Sequence, residues 1–213
     1  YWRSSETLFR RALAVTRNNS VAHVNLAQTL HEDARRHRDS QQIGDAGRKI
    51  AEAIGHYRDA LRIDEYSPTA HKNYAQALSL KNQLEGPRAR RDDLEEALEH
   101  FRRRLELEPR APDRDTVHCE MGNLLGELGR FEEAADEYRR AIEISPDYAV
   151  AWLNLSRALA DQNRFPEAID AVGRALTIPP DWGEAVEPPS RVPTQSGSAL
   201  ASGGELEAAV EQF

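Results

Sequence analysis

The sequence predicts an all-α fold, a solenoid of stacked helix-turn-helix units with no sheet. Two observations carry this. First, a shift of 34 residues from Asp115 lays the chain on itself. His118 then falls on Trp152, Met121 on Leu155, Leu125 on Leu159, Phe131 on Phe165, Ala134 on Ala168, Tyr138 on Val172, Ala141 on Ala175 and Pro146 on Pro180. Second, each unit holds two amphipathic stretches with apolar residues three and four apart. Turns are expected near Gly129 and Asn163, and Pro146 and Pro180 follow the second helices, where proline ends a helix or precedes a new one. One such pair cannot bury both of its faces, so neighbours must stack. Small residues at Ala134, Ala141, Ala168 and Ala175 let helices approach, and Trp152, Phe131, Phe165 and Tyr138 are expected to fill the space between them.

Taken in order, residues 1–18 read as a lone second helix through Leu8, Phe9, Ala12 and Leu13. Residues 20–67 form the first complete unit. His23, Asn25, Leu26, Ala27 and Leu30 mark its first helix, and Ile50, Ala53, Tyr57, Ala60 and Leu61 its second. Residues 68–111 form the next, through His71, Asn73, Tyr74, Ala75 and Leu78, then Leu94, Ala97, Phe101, Leu105 and Pro109. Residues 115–148 and 149–182 are the two matched units. The second helix arrives fourteen residues late in the first complete unit and ten late in the second, so both carry insertions between their helices. Residues 183–213 break the pattern. Pro188, Pro189 and Pro193 fall where a first helix should run, and Leu206, Ala209 and Phe213 then resemble a degraded second helix. Both ends of the chain read as helix, which is expected of a segment of something longer.

A 34-residue helix-turn-helix with these columns resembles the tetratricopeptide repeat (TPR). The resemblance covers most of residues 1–182. It implies a right-handed α-solenoid of about ten helices, whose first helices line a concave groove for a peptide or protein segment. By helical spacing, the residues facing that groove are Val24, Gln28, Lys72, Gln76, Cys119, Asn123, Leu153 and Arg157. Asn25, Asn73 and Asn154 recur in one column, and an Asn amide there can bond an extended peptide backbone as donor and acceptor; the alternative is that they bond neighbouring helices. The subgroup that clamps chaperone C-termini uses a Lys, Asn, Asn, Lys, Arg set. Lys72 matches its first position, but Gln76, Glu120, Val150 and Asn154 stand in the rest, which argues against that partner. The run from Tyr1 to Val15, with Asn18 to Leu26, is similar to the start of the repeats in transmembrane, tetratricopeptide-containing glycosyltransferases. That likeness implies a periplasmic or lumenal tail of a membrane enzyme, against a cytoplasmic adaptor for a free repeat protein.

The insertions carry Arg35, Arg36 and Arg38 in one unit and Arg88, Arg90 and Arg91 in the other. Long loops on one edge of a solenoid often carry function, so a basic rim for an acidic partner is one reading. A solvated helix extension, its arginines paired to Glu32, Asp33, Asp39, Asp92 and Asp93, is the other. The groove columns recur in four units and the basic clusters in two, so the groove is expected to carry the main contact, with weak salt dependence. Arg104 departs from a column that elsewhere holds Ala60, Ala141 and Ala175, and implies looser packing there or a side-chain head reaching water.

Composition excludes several classes. Of 213 residues, 28 are Lys or Arg and 36 Asp or Glu, a net charge of −8, so general nucleic-acid binding is not expected. One cysteine, Cys119, excludes an intrachain disulfide and a multi-thiolate metal site. No apolar run reaches membrane-spanning length. Nucleophile elbows, phosphate loops, dinucleotide glycine motifs and zinc-protease motifs are absent, so no catalysis and no cofactor are expected. His23, His71 and His118 share a column, but stacked helices stand roughly 9 Å apart, too far for three of them to reach one ion. No metal is expected on that ground. Asn18-Asn19-Ser20 is a glycosylation sequon that matters only in a glycosylating compartment.

Overall fold

The computed structural model describes residues 5–86 and 91–179. Helices follow one another as α1 (Ser5–Val15), α2 (Ser20–Asp39), α3 (Ile43–Ile63), α4 (Pro68–Glu85), α5 (Arg91–Leu107), α6 (Arg114–Glu127), α7 (Phe131–Ile144), α8 (Ala149–Asp161) and α9 (Phe165–Thr177), with no strand among the described residues. The expected partial repeat at 183–213, the residues Tyr1–Ser4, and Arg88 and Arg90 lie outside them. Packing is densest within the pairs α2/α3, α4/α5, α6/α7 and α8/α9, and next between a second helix and the first helix that follows it. Further contacts of α2 with α4 and of α6 with α8 put the first helices in a row. This is the expected solenoid. Among the described residues no helix is long and apolar enough to cross a membrane.

The α2/α3, α6/α7 and α8/α9 hairpins each turn on one left-handed residue. Gln41, Gly129 and Asn163 have φ of 59°, 73° and 59°. In each case the next amide reaches five residues back: Gln42 to the His37 carbonyl at 2.8 Å, Arg130 to Leu125 at 2.8 Å, and Arg164 to Leu159 at 2.9 Å. These bonds satisfy carbonyls that a helix end would otherwise leave open. Helix starts are equally local. The Asn19 and Ser67 side chains accept from the amides of Ala22 and Ala70, and Pro68 fills a first-turn position that needs no N–H.

The first insertion is not a loop. α2 and α3 run for 20 and 21 residues against 14 each for α6 and α7. Their connection stays short, at residues 40–42. The extra sequence has become about two more turns on each helix, because nothing in it breaks a helix before Ser40. In the second complete unit the same lengthening is smaller, with 18 and 17 residues in α4 and α5.

The core alternates large and small. Tyr57, Phe101 and Tyr138 on the second helices are fully buried. Ala27, Ala75, Gly122 and Ser156 form a small column on the first helices. At Gly122 a Cβ would stand 2.6 Å from Tyr138 Cε1 and 2.8 Å from Cζ, closer than real contacts allow. Gly122→Ala is therefore expected to destabilise, against the usual gain of up to about 1 kcal/mol for Ala over Gly in a helix. The ring is fully buried and its hydroxyl is tied to Asn123 at 2.8 Å, and overpacking costs about 1–3 kcal/mol. A urea titration showing equal or higher stability for Gly122→Ala would contradict this close approach.

Two expectations about packing change. Phe165 is 49% exposed and Leu176 70%, while Ile50 and Leu94, in the column of Phe165, are buried. α9 ends the described stack, so no described unit covers its outer face. Phe131 and Trp152 are half-buried, the indole N–H donating to the Pro146 carbonyl at 2.9 Å. Arg104 does not reach water. It is 6% exposed, its head lying 2.8 Å from Glu108 and 3.0 Å from Asp113. The accompanying looseness is present: α5 touches α6 least of all sequential neighbours, across a longer link containing Pro109 and Pro112.

The shared histidine column is an axial row, each member paired inside its own unit. His23 meets His56 (Nδ1 to Nδ1, 3.1 Å), His71 meets His100 (2.7 Å), and His118 meets Glu137 (2.7 Å). These pairs join each first helix to its second helix.

Candidate peptide-binding groove

The first helices present one continuous polar face. On α2 the three- and four-residue spacing runs Val24, Gln28, His31, Arg35, Arg38, because the helix continues past the point where the 34-residue pattern ends. That stripe faces α4 and α6 across a cavity of about 210 Å³ lined by His31, Arg35, Arg38, Gln76, Ser79, Leu80, Gln83, Phe101, Glu120 and Asn123. The separation of a basic rim from the groove thus fails for Arg35 and Arg38, which share a cavity with Gln76 and Asn123. Arg36 keeps to another face. It pairs with Asp33 and lines a separate hollow with His37, Ser40 and Gln42. Arg91 is exposed at the start of α5.

The expected groove residues divide by what they already touch. Lys72 lies 2.5 Å from Asp113, and Gln76 donates to both carboxylate oxygens of Glu120 at 2.8 and 3.1 Å. Asn154 donates to Asn123 Oδ1 at 3.0 Å and lies 3.7 Å from the Cys119 sulfur; the Tyr138 hydroxyl donates to the same Asn123 oxygen at 2.8 Å. Gln76–Glu120 and Asn123–Asn154 are equivalent by repeat, a polar ladder that ties α4 to α6 and α6 to α8. Cys119 is buried beneath it rather than facing the groove, and desolvation pushes its thiol up. Gln28 is exposed and donates to Glu32 at 3.3 Å. Val24 packs on the core, Leu153 is 47% exposed and Arg157 is exposed. Asn25 and Asn73 are half-buried, and neither side chain has a hydrogen-bond partner among the described residues. Asn73 and Asn154 therefore differ, although they share a column.

Charge is uneven along this face. Arg35 is exposed and, among the described residues, has no hydrogen bond and no ion pair within 4.0 Å. Arg38 pairs with Asp39 at 2.9 Å and reaches Gln83 at 3.3 Å. Burial, with Arg35 and Arg38 nearby, lowers the His31 imidazole to about 4, so it is neutral at pH 7. Burial raises the Glu120 carboxyl, while the Gln76 hydrogen bond and the charges of Lys72 and Arg35 pull it back. Burial also raises Asp113, but Lys72 and Arg104 hold it below its ordinary value. The α2 end of the groove is cationic, and its other walls are amides, one desolvated carboxyl, Ser79, Leu80 and Phe101.

His31 and Glu120 were missed as groove residues. Glu120 stands in the column of Asn25, Asn73 and Asn154. His31 follows Gln28 by three residues, and counting on along α2 through the inserted stretch finds it.

Residues 119–185 match a tetratricopeptide repeat family model. The tetratricopeptide repeat-containing protein trd-1 of Caenorhabditis elegans is 27% identical over 155 residues, 72% of this chain. The chain spans only 16% of that relative's length. A crystal structure of MamA superposes with a TM-score of 0.62 at 18% identity, covering 80% of this chain and 84% of its own. Pseudomonas aeruginosa PilF gives 0.59 at 16%, covering 80% and 67%. A thermophilic TPR protein of Thermus thermophilus gives 0.55 at 19%, covering 82% and 81%. At these identities the structural likeness is one of fold. That fold is a TPR-type α-solenoid, in general a scaffold for protein interactions.

Proposed function

With the tetratricopeptide-type solenoid as premise, we propose that this chain is an interaction scaffold whose first-helix face takes an extended peptide, an acidic side chain of which seats against Arg35 and Arg38. The observation that carries the reading is the cation at Arg35, which lines the cavity without an ion pair among the described residues, on the same face as the Asn25 and Asn73 amides, which likewise have no partner among them. An extended backbone presents donors and acceptors that those amides can meet, and a carboxylate there gains charge-assisted bonds. The ladder residues Gln76, Glu120, Asn123 and Asn154 hold the helices in register beneath it.

An array of extended dodecapeptides graded from acidic to basic tests this. Acidic members are expected to bind, more weakly as salt rises. Arg35→Glu with Arg38→Glu should weaken them about 10–100-fold, since charge-assisted bonds contribute about 1.5–3 kcal/mol. Asn73→Ala should weaken them by less, its neutral bonds contributing about 0.5–1.5 kcal/mol. Arg36→Glu, on the other face, should leave binding unchanged. Equal binding of basic and acidic members, or loss on Arg36→Glu alone, would sink the reading.

A further inference from the structure

We propose that His23, His56 and Asp59 bind one divalent transition ion of the zinc class on the α2/α3 hairpin. The three side chains each bring one ligand atom, and these atoms all lie within 4.8 Å of one another. Two nitrogens about 2.1 Å from a tetrahedral ion stand about 3.4 Å apart. His23 Nδ1 and His56 Nδ1 are 3.1 Å apart, so the rings already hold that edge. Asp59 Oδ2 lies 4.0 Å from His23 Nδ1, and its side chain is 41% exposed, free to close the remaining gap. His56 and Asp59 are three residues apart on α3, the spacing that puts two side chains on one helix face. Arg62 reaches the other carboxylate oxygen, Oδ1, at 3.0 Å, leaving Oδ2 toward the histidines.

The repeat supplies its own comparison. At the positions of His23, His56 and Asp59 the next unit has His71, His100 and Arg103. The paired imidazoles recur, but a guanidinium replaces the carboxylate and would repel a cation. Only the first complete unit combines two imidazoles with an acid. Imidazole and carboxylate suit zinc, nickel or copper rather than calcium. Three protein ligands leave a fourth position for water. On binding, the ring that donates the Nδ1 hydrogen bond shifts its proton to Nε2, so both Nδ1 atoms ligate as neutral imidazoles and no net proton is released. The ion would fasten α2 to α3 near the lone helix α1.

Cobalt, a spectroscopic stand-in for zinc, tests this on the whole chain through its visible absorption, with zinc competition and calorimetry. One ion per chain is expected, and the thermal midpoint should rise with zinc. Asp59→Asn and His56→Ala should weaken binding beyond the roughly 10–100-fold that loss of an outer-shell partner costs. His100→Ala, which removes the matching ring of the next unit, should bind as the parent does. Asp59 is at the surface, so Asp59→Asn decides alone if His56→Ala fails to fold by circular dichroism. Absence of binding at millimolar ion, unchanged binding in Asp59→Asn, or equal loss in His100→Ala would overturn the assignment.

Discussion

Phe101→Ala is expected to cost about 3–5 kcal/mol, the range for removing a fully buried aromatic ring. Phe101 is 0% exposed on α5, in the same column as Tyr57 and Tyr138, and it also floors the groove cavity. Phe165→Ala is the matched comparison, since that ring is half exposed at the end of the described stack. It should cost under about 1 kcal/mol, as substitutions away from buried features do. Guanidinium titrations of both variants check the contrast, and similar losses for the two would refute the assigned core.

Acid should destabilise this protein between pH 6.5 and pH 4, before most carboxylates titrate. Burial, then the charge of His71 and Arg58, lowers the His100 imidazole to about 4, opposed in part by Glu96. Burial, Arg35 and Arg38 do the same to His31. In the unfolded chain both rings titrate near 6.5. The unfolded state then binds more protons than the folded state in this window, so stability is full above pH 6.5 and is lost as pH falls toward 4. Each ring contributes at most about 1.4 kcal/mol per pH unit, less for His100, which is partly solvated. Glu120 and Glu127 work in the opposite sense, because burial raises both and protonation favours their folded form. The histidines prevail in the upper half of the window, above the ordinary carboxylate range. Denaturant titrations at pH 7 and pH 5 should show the loss, and His31→Gln with His100→Gln should flatten it. Stability that stays level over that interval would exclude the buried, neutral state of these rings.

What could be seen in the sequence follows from what repeats in it. The columns His118–Trp152, Ala134–Ala168 and Ala141–Ala175 carry the packing, and they fixed the hairpins, the turn sites and the order of stacking. The inserted stretches repeat nothing. There the length of α2 rested on local propensity, and Arg35 and Arg38 pass from rim to groove once helix continues to Asp39. Groove positions were legible as a face but not as a state of engagement. Asn73 and Asn154 share a column, yet only Asn154 bonds the amide one helix away, Asn123; Gln28, which stands in that place for Asn73, donates to Glu32 instead. The histidine pairs were half visible. His23, His71 and His118 aligned within the first helices, but their partners His56 and His100 lie on the second helices, and only the hairpin geometry joins the two sets.

Hydrogen–deuterium exchange with and without a bound acidic dodecapeptide tests the central claim most directly. Added protection is expected on α2, α4 and α6, greatest in the α2 segment from Gln28 to Arg38 and the α4 segment from Asn73 to Gln83. The solvent faces of α3, α5 and α7 should exchange as in the free protein. Protection confined to those second helices, with α2 and α4 unchanged, would place the partner on the opposite surface and contradict the groove.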